Sequence, residues 1–233
     1  SIDPESANEA LLRSKFPAAP LPTFDLSAAE EVEFSDVRGR WCVSSLDKHS
    51  AADQWGYFNE HWQQLTEFDS EETVLSTLIP LFLNRLLPQE TRKQVNSTKG
   101  VALDKKVVDL RPLGVSLKLR LIPTSYSNSL HTRKLKDKEG RTLDEGAMRE
   151  FKEFFLAHNQ FGIGVPGGLE AMIHLIQLHV ELQQQNAVSK WDVQNAFNEF
   201  KRDDGYEVLS EEYPDSLHIV ANCYSDASVT TFA

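Results

Sequence analysis

The alternation of apolar and polar positions divides the chain into stretches at helical spacing, runs with strand character, and polar or Gly/Pro-rich joints. Behind Asp53, placed as an N-cap, Trp55, Phe58, Trp62 and Leu65 recur at helical spacing, which predicts a helix that packs its aromatic residues into a core. Asp69 followed by Glu72 has the form of a capping box. It predicts a second helix, whose apolar set is Val74, Leu75, Leu78, Ile79, Phe82, Leu83 and Leu86. Pro80 is expected to kink that helix and Pro88 to end it. Before these elements, Pro4 to Phe16 fits a short amphipathic helix, and residues 18–34, which follow Pro17 and include Pro20 and Pro22, read as an extended arm.

Residues 100–117, GVALDKKVVDLRPLGVSL, carry β-branched runs around a polar break and predict a strand pair, with helix resuming at KLRLI, 118–122. Residues 131–141, HTRKLKDKEGR, predict a charged loop or hairpin turning near Gly140. A helix is predicted from Leu143 or Asp144 to 157, carrying Met148, Phe151, Phe154 and Phe155, and ended by a stretch from Asn159 to Gly168 with four glycines and a proline. The next helix, 167–185, has Leu169, Met172, Ile173, Ile176 and Val180 on one face and Leu175, Leu178 and Leu182 on another. It is expected to be buried on most of its circumference. SKWDV at 189–193 predicts a short strand, NAFNEFKR a turn into helix, and residues 209–224 a last helix interrupted at Pro214.

At 233 residues the chain can bury a sizeable core, and 40% hydrophobic with 25% charged residues is ordinary for a globular protein. The acidic opening SIDPESANEALL lacks the basic and apolar regions of a secretion signal, and no window approaches the ~18 uninterrupted apolar residues of a membrane span. Cys42 and Cys223 make neither a disulfide framework nor a zinc quartet and read as buried thiols of a reducing, intracellular compartment. The expected division is an acidic leader at 1–38 and a domain at 39–233.

The net charge of -11 opposes binding of the whole chain to nucleic acid or anionic membrane. Residues 1–36 hold eight acids against two bases, whereas residues 99–141 hold eleven bases against four acids. The basic segment lies within an acidic protein, and a solvated hairpin explains it about as well as a nucleic-acid surface does.

Four motifs occur in one order: ADQW at 52–55, LDKKVVDLRPLGV at 103–115, QFGIGVPGGLEAMIH at 160–174 and KWDVQNAFN at 190–198. Together they resemble the first half of the reverse transcriptase domain of non-LTR (LINE-type) retrotransposons, from about Gly39 to the end. The resemblance implies an α-rich α+β fold, fingers and a partial palm without a thumb, with a small antiparallel sheet formed by the 99–115 pair and the strand at 188–193. Such polymerases hold two metal ions on carboxylates, which activate the primer hydroxyl and stabilise the leaving pyrophosphate. By resemblance Asp192 is the first metal-binding carboxylate, with the Val193 carbonyl as a further ligand. Phe197 is the residue that screens the sugar of the incoming nucleotide, Lys105 and Arg111 are bases for its triphosphate, and Gln160 lies near the template. Read from residue type alone, Asp192 is a strand-end carboxylate, Arg111 a partner for Asp109 or Asp104, and Phe197 a core residue. His174 and His179 read as core histidines.

Several features depart from that family. The paired carboxylates of Tyr/Phe-x-Asp-Asp do not occur within the 233 residues. Asp203 and Asp204 follow the NAFN block too closely to return as a second strand, Tyr224 to Ala227 carries one acid, and Gln54 stands where the family has glycine. One carboxylate cannot hold two metals, so the chain alone is expected not to polymerise. It is expected to need no cofactor, with Mg2+ entering only in a complete polymerase. Three functional classes follow: a non-catalytic, retrotransposon-derived interaction or scaffold protein; part of an RNA-directed DNA polymerase completed by another segment or chain; and an RNA-binding module without chemistry. The first is preferred. A homodimer or protein partner is expected at Leu175, Leu178, Leu182, Ile219 and Tyr224, with weak RNA or DNA binding and no membrane.

Overall fold

The computed structural model describes residues 11, 14, 20–68, 74–104, 110–146, 151–162, 165–183, 185, 187–189, 201–227 and 230–232. The chain divides into two compact units: residues 1–129 with 195–233, and residues 130–194. Among the described residues, no helix is long and apolar enough to cross a membrane.

In the first unit, the arm at 20–34 runs without helix to Ser35, which caps helix α1 (Asp36–Ser44) by accepting from the Arg38 N–H. The arm is packed into the fold. Val32 is buried and exchanges hydrogen bonds with the Asn84 side chain, the Glu30 N–H donates to the Pro214 carbonyl, and the Ser35 N–H donates to the Tyr126 hydroxyl at 2.7 Å. Gly39 allows the Phe34 ring to lie on α1, because a Cβ there would sit 2.7 Å from the ring. The expected boundary between leader and domain at 38/39 therefore falls inside a helix, beside the fully buried Arg38.

Helix α2 (Asn59–Phe68) begins later than the aromatic spacing predicts, because Asp53 organises a turn instead of capping a helix. Helix α3 (Val74–Leu83) follows, with Pro80 inside it; the capping box at 69–72 lies outside the described residues. It stops before Leu86, where Arg85 takes a left-handed φ of 54°. Pro88 then opens a helix the pattern did not announce, α4 (Gln89–Val95), at the cap position where its missing N–H costs nothing. Leu75, Ile79, Phe82 and Leu83 of α3 are buried between α1 and a later helix, α9 (Pro214–Tyr224), and Phe82 packs with Val95 and Leu117.

The expected strand pair is present. β1 (Thr98–Asp104) and β2 (Leu110–Ser116) are antiparallel, with Gly100 opposite Gly114 and Leu103 opposite Arg111. The third strand described is β5 (Thr230–Phe232), parallel to β1 in the order β2-β1-β5. The strand expected at 188–193 lies outside the described residues from 190 onward, and 188–189 are not in a strand. Helix α5 (Lys118–Thr132) extends the predicted KLRLI segment, and α8 (Arg202–Glu212) meets α9 at Pro214, as the interrupted last helix predicts. The architecture is α+β, mainly helical.

The second unit holds the predicted hairpin, β3 (Leu135–Lys136) and β4 (Thr142–Asp144), with Gly140 at φ 83° in its turn. Leu143 and Asp144 are thus strand, and the helix they were expected to begin is α6 (Phe151–Ala157). The Gly-rich turn then leads to α7 (Gly168–Leu182).

Candidate functional site

Of the residues the resemblance assigns to nucleotide and metal binding, Lys105, Asp192, Val193 and Phe197 lie outside the described residues. Arg111 is placed by its backbone in β2, opposite Leu103, in the first unit. Gln160 is exposed in the second unit, where its Oε1 accepts the Gly162 N–H at 2.9 Å and so shapes the turn itself. Among the described residues, no group of three or more His, Cys, Asp or Glu could hold a metal ion.

The bases of the basic segment divide between the two units. In the first, Lys118 is buried, with its N–H donating to the Asp53 carboxylate at 3.0 Å, and the Arg120 guanidinium lies 5.3 Å from the Tyr224 ring centre. In the second, Lys134 pairs with Glu145 at 2.7 Å, and Arg141 pairs with Asp137 at 2.6 Å and with Glu139 at 3.3 Å. Such solvent-screened pairs contribute little to stability, but they reduce the charge available to a phosphate backbone.

Asp53, from the ADQW motif, is a structural hub. One carboxylate oxygen accepts the N–H groups of Trp55 and Tyr57, each at 3.0 Å, and the other takes the Lys118 N–H at the start of α5. Trp55, Tyr57 and Phe58 consequently ride on a tight turn and stay exposed, contrary to the core packing their spacing predicts. Gly56, at φ 84°, is the signal that a turn and not a helix occupies this stretch.

Asp226, the one acid of residues 224–227, is also structural. It is buried, accepts from Arg92 Nε and from the Gln89 side chain, each at 2.9 Å, and ties the end of α9 to α4. Burial alone would raise its pKa, but these donors and the Arg92 charge hold it below the ordinary carboxylate value. Asp203 and Asp204 occupy the first turn of α8, where helix polarity favours acids. Cys42 and Cys223 are buried thiols with no disulfide between them, and burial raises the Cys223 pKa.

The largest departure from expectation is α7. Gly167, at φ 66°, precedes it, and a Cβ on Gly168 would run into the Phe161 carbonyl oxygen, so the two glycines make the sharp entry possible. Leu169, Ile173, Ile176 and Val180 form one stripe and Leu175, Leu178 and Leu182 a second, roughly opposite at about 100° per residue. Both stripes, expected to be buried, are 39% to 71% exposed. His174 and His179 are exposed too, so neither is a core histidine. Ile219, expected beside this face in a contact, is buried in α9 at 3% exposure, while Tyr224 remains 39% exposed.

No family model, curated protein or solved structure matches the chain.

Proposed function

We propose that this chain acts by binding a protein partner or a second copy of itself, as a non-catalytic relative of retrotransposon reverse transcriptases. The observation that carries the reading is the exposure of seven large aliphatic side chains on α7. Fully burying one such side chain stabilises by about 1.5–3 kcal/mol, so seven half-exposed ones leave on the order of 5–10 kcal/mol unused, as an upper bound. Exposed apolar patches of several hundred Å² mark interaction surfaces. The order of the four sequence motifs supports descent from a polymerase, and that descent also supports a second reading, in which the chain is one part of an RNA-directed DNA polymerase completed by further polypeptide. Weak RNA binding through Lys105 and Arg111 belongs to the same inheritance.

The test is sedimentation of the chain alone and with extract proteins, beside a Leu175→Ser, Leu178→Ser, Leu182→Ser variant. The reading expects a dimer or a captured partner that the variant loses while its circular dichroism is unchanged. A monomer that captures nothing at micromolar concentration contradicts it. Primer extension on RNA or DNA templates with Mg2+ is expected to be absent and unaffected by Asp192→Asn. Extension by the purified chain that the substitution abolishes would move the assignment to the polymerase.

A further inference from the structure

We propose that the loop between α1 and α2 holds a binding site for a guanidinium group on an alkyl stem, the chemistry of an arginine side chain. The site is a cavity of about 370 Å³ in the first unit, lined by His49, Ser50, Phe58, Glu60, His61 and Gln64. Its volume lies at the lower end of the range for pockets that take small ligands.

The cavity walls are held in place by backbone groups. His49, in the left-handed region at φ 63°, gives its N–H to Glu60 Oε1 at 2.6 Å, a conformation that non-glycine residues adopt only when the surroundings require it. The Phe58 N–H donates to His61 Nδ1 at 3.3 Å, and the His61 ring meets the Phe58 and Tyr57 rings edge-on at 5.5 and 6.3 Å. Beside the cavity, Trp55, Tyr57 and Phe58 are 47%, 46% and 43% exposed, an unusual run of uncovered aromatic surface set up by the Asp53 turn.

Charge selects among the ligands that aromatic rings accept. A nucleic-acid strand also stacks on such rings, but it brings phosphates. Residues 45–68 hold Asp47, Asp53, Glu60 and Glu67 against Lys48, an acidic balance that repels phosphate and attracts a cation. The His49 N–H bond holds the Glu60 carboxyl below its ordinary pKa, aided by the two nearby imidazoles, so it is anionic at neutral pH. Its Oε1 also lies 3.6 Å from the His49 Nδ1, and its side chain is about a third exposed. The Lys118 ammonium, 3.4 Å from Ser50 Oγ, puts positive charge at the Ser50 end. An incoming cation is therefore directed to the end where Glu60 supplies the opposite charge and Phe58 a ring face, and a planar guanidinium can pair with the first and stack on the second.

The experiment is titration of the isotope-labelled full chain, followed by amide shifts, with acetyl-arginine amide, agmatine and the neutral urea isostere acetyl-citrulline amide. Saturable shifts at His49, Phe58, His61 and Gln64 are expected from the two guanidinium probes, at least tenfold weaker with citrulline. Tighter binding of the amino-acid amide assigns the group to a polypeptide, and tighter binding of agmatine assigns it to a free amine. Glu60→Gln keeps an acceptor for the His49 N–H and should weaken binding tenfold or more without disturbing other amides. Phe58→Leu should weaken it several-fold and serves if the first variant misfolds. Equal binding of citrulline, unchanged affinity in both variants, or saturable shifts at these residues from an oligothymidylate in place of the guanidinium probes would overturn the proposal. Because α7 is untouched by either variant, this result and the sedimentation result stand or fall separately.

Discussion

Helices α3 and α7 are both rich in large aliphatic residues, yet they end in opposite surroundings. In α3, Leu75, Ile79, Phe82 and Leu83 are 0% to 2% exposed, whereas α7 leaves Leu175 at 56%, Leu178 at 51% and Leu182 at 71%. The difference lies in what surrounds each helix. α3 is flanked by α1 and α9, and polar side chains fix its end: Asn96 donates to the Asn222 carbonyl at 2.6 Å and Asn222 to the Phe82 carbonyl at 3.3 Å. α7 has an apolar stripe on either flank, and the described residues cover neither. An apolar stripe states that burial is favourable and says nothing of what will do the burying.

This comparison would break first at the ion pair that anchors the packed side. Asp226→Ala leaves Arg92, only 12% exposed, without its carboxylate, and a loss of about 3–5 kcal/mol is expected in urea unfolding. A loss below 1 kcal/mol would mean that the pair does not hold α4 to α9. The next largest effect sharpens the contrast directly. Leu83→Ala, at a fully buried site, should cost about 2–5 kcal/mol, whereas Leu178→Ala on α7 should stay within about 0.5 kcal/mol. Equal losses would place α7 in a core.

Smaller again is Asp53→Ala, which removes the acceptor of three backbone N–H groups and should cost about 1–3 kcal/mol while changing the fluorescence of Trp55. The acid dependence is the mildest probe. Because the folded pKa of Asp226 is depressed, its contribution is fully present above the ordinary value of 3.8 and is lost as pH falls below that value through the lower folded one. Wild type should therefore lose stability there more steeply than Asp226→Asn. Parallel acid profiles would remove Asp226 from the account.

Much of the local structure was legible because its signals are local. The β-branched runs around the Asp104–Asp109 break gave the strand pair, Gly140 the hairpin turn, and the two glycines before Leu169 the start of α7. The failures arise where tertiary contacts override spacing. Trp55 and Phe58 sit at helical spacing, but Asp53 spends both its oxygens on the turn and on α5, so no helix starts there. Pro88 reads as a terminator of the helix before it, although the same ring is well placed to open the helix that follows. β5 has only three residues and pairs with a strand more than a hundred positions away, a contact that no local pattern announces. Of the candidate site, most residues that the resemblance implies lie outside the described structure, and the aromatic spacing beside Glu60 predicts core where an exposed turn is found.

The contrast between the two helices is tested most directly by amide hydrogen exchange on the isolated chain at a concentration too low for association. Slow exchange is expected through the buried turns of α3 and α9 and fast exchange along α7, with α7 gaining protection only when a partner or a second copy is bound. Protection of α7 equal to that of α3 in the isolated monomer would contradict it.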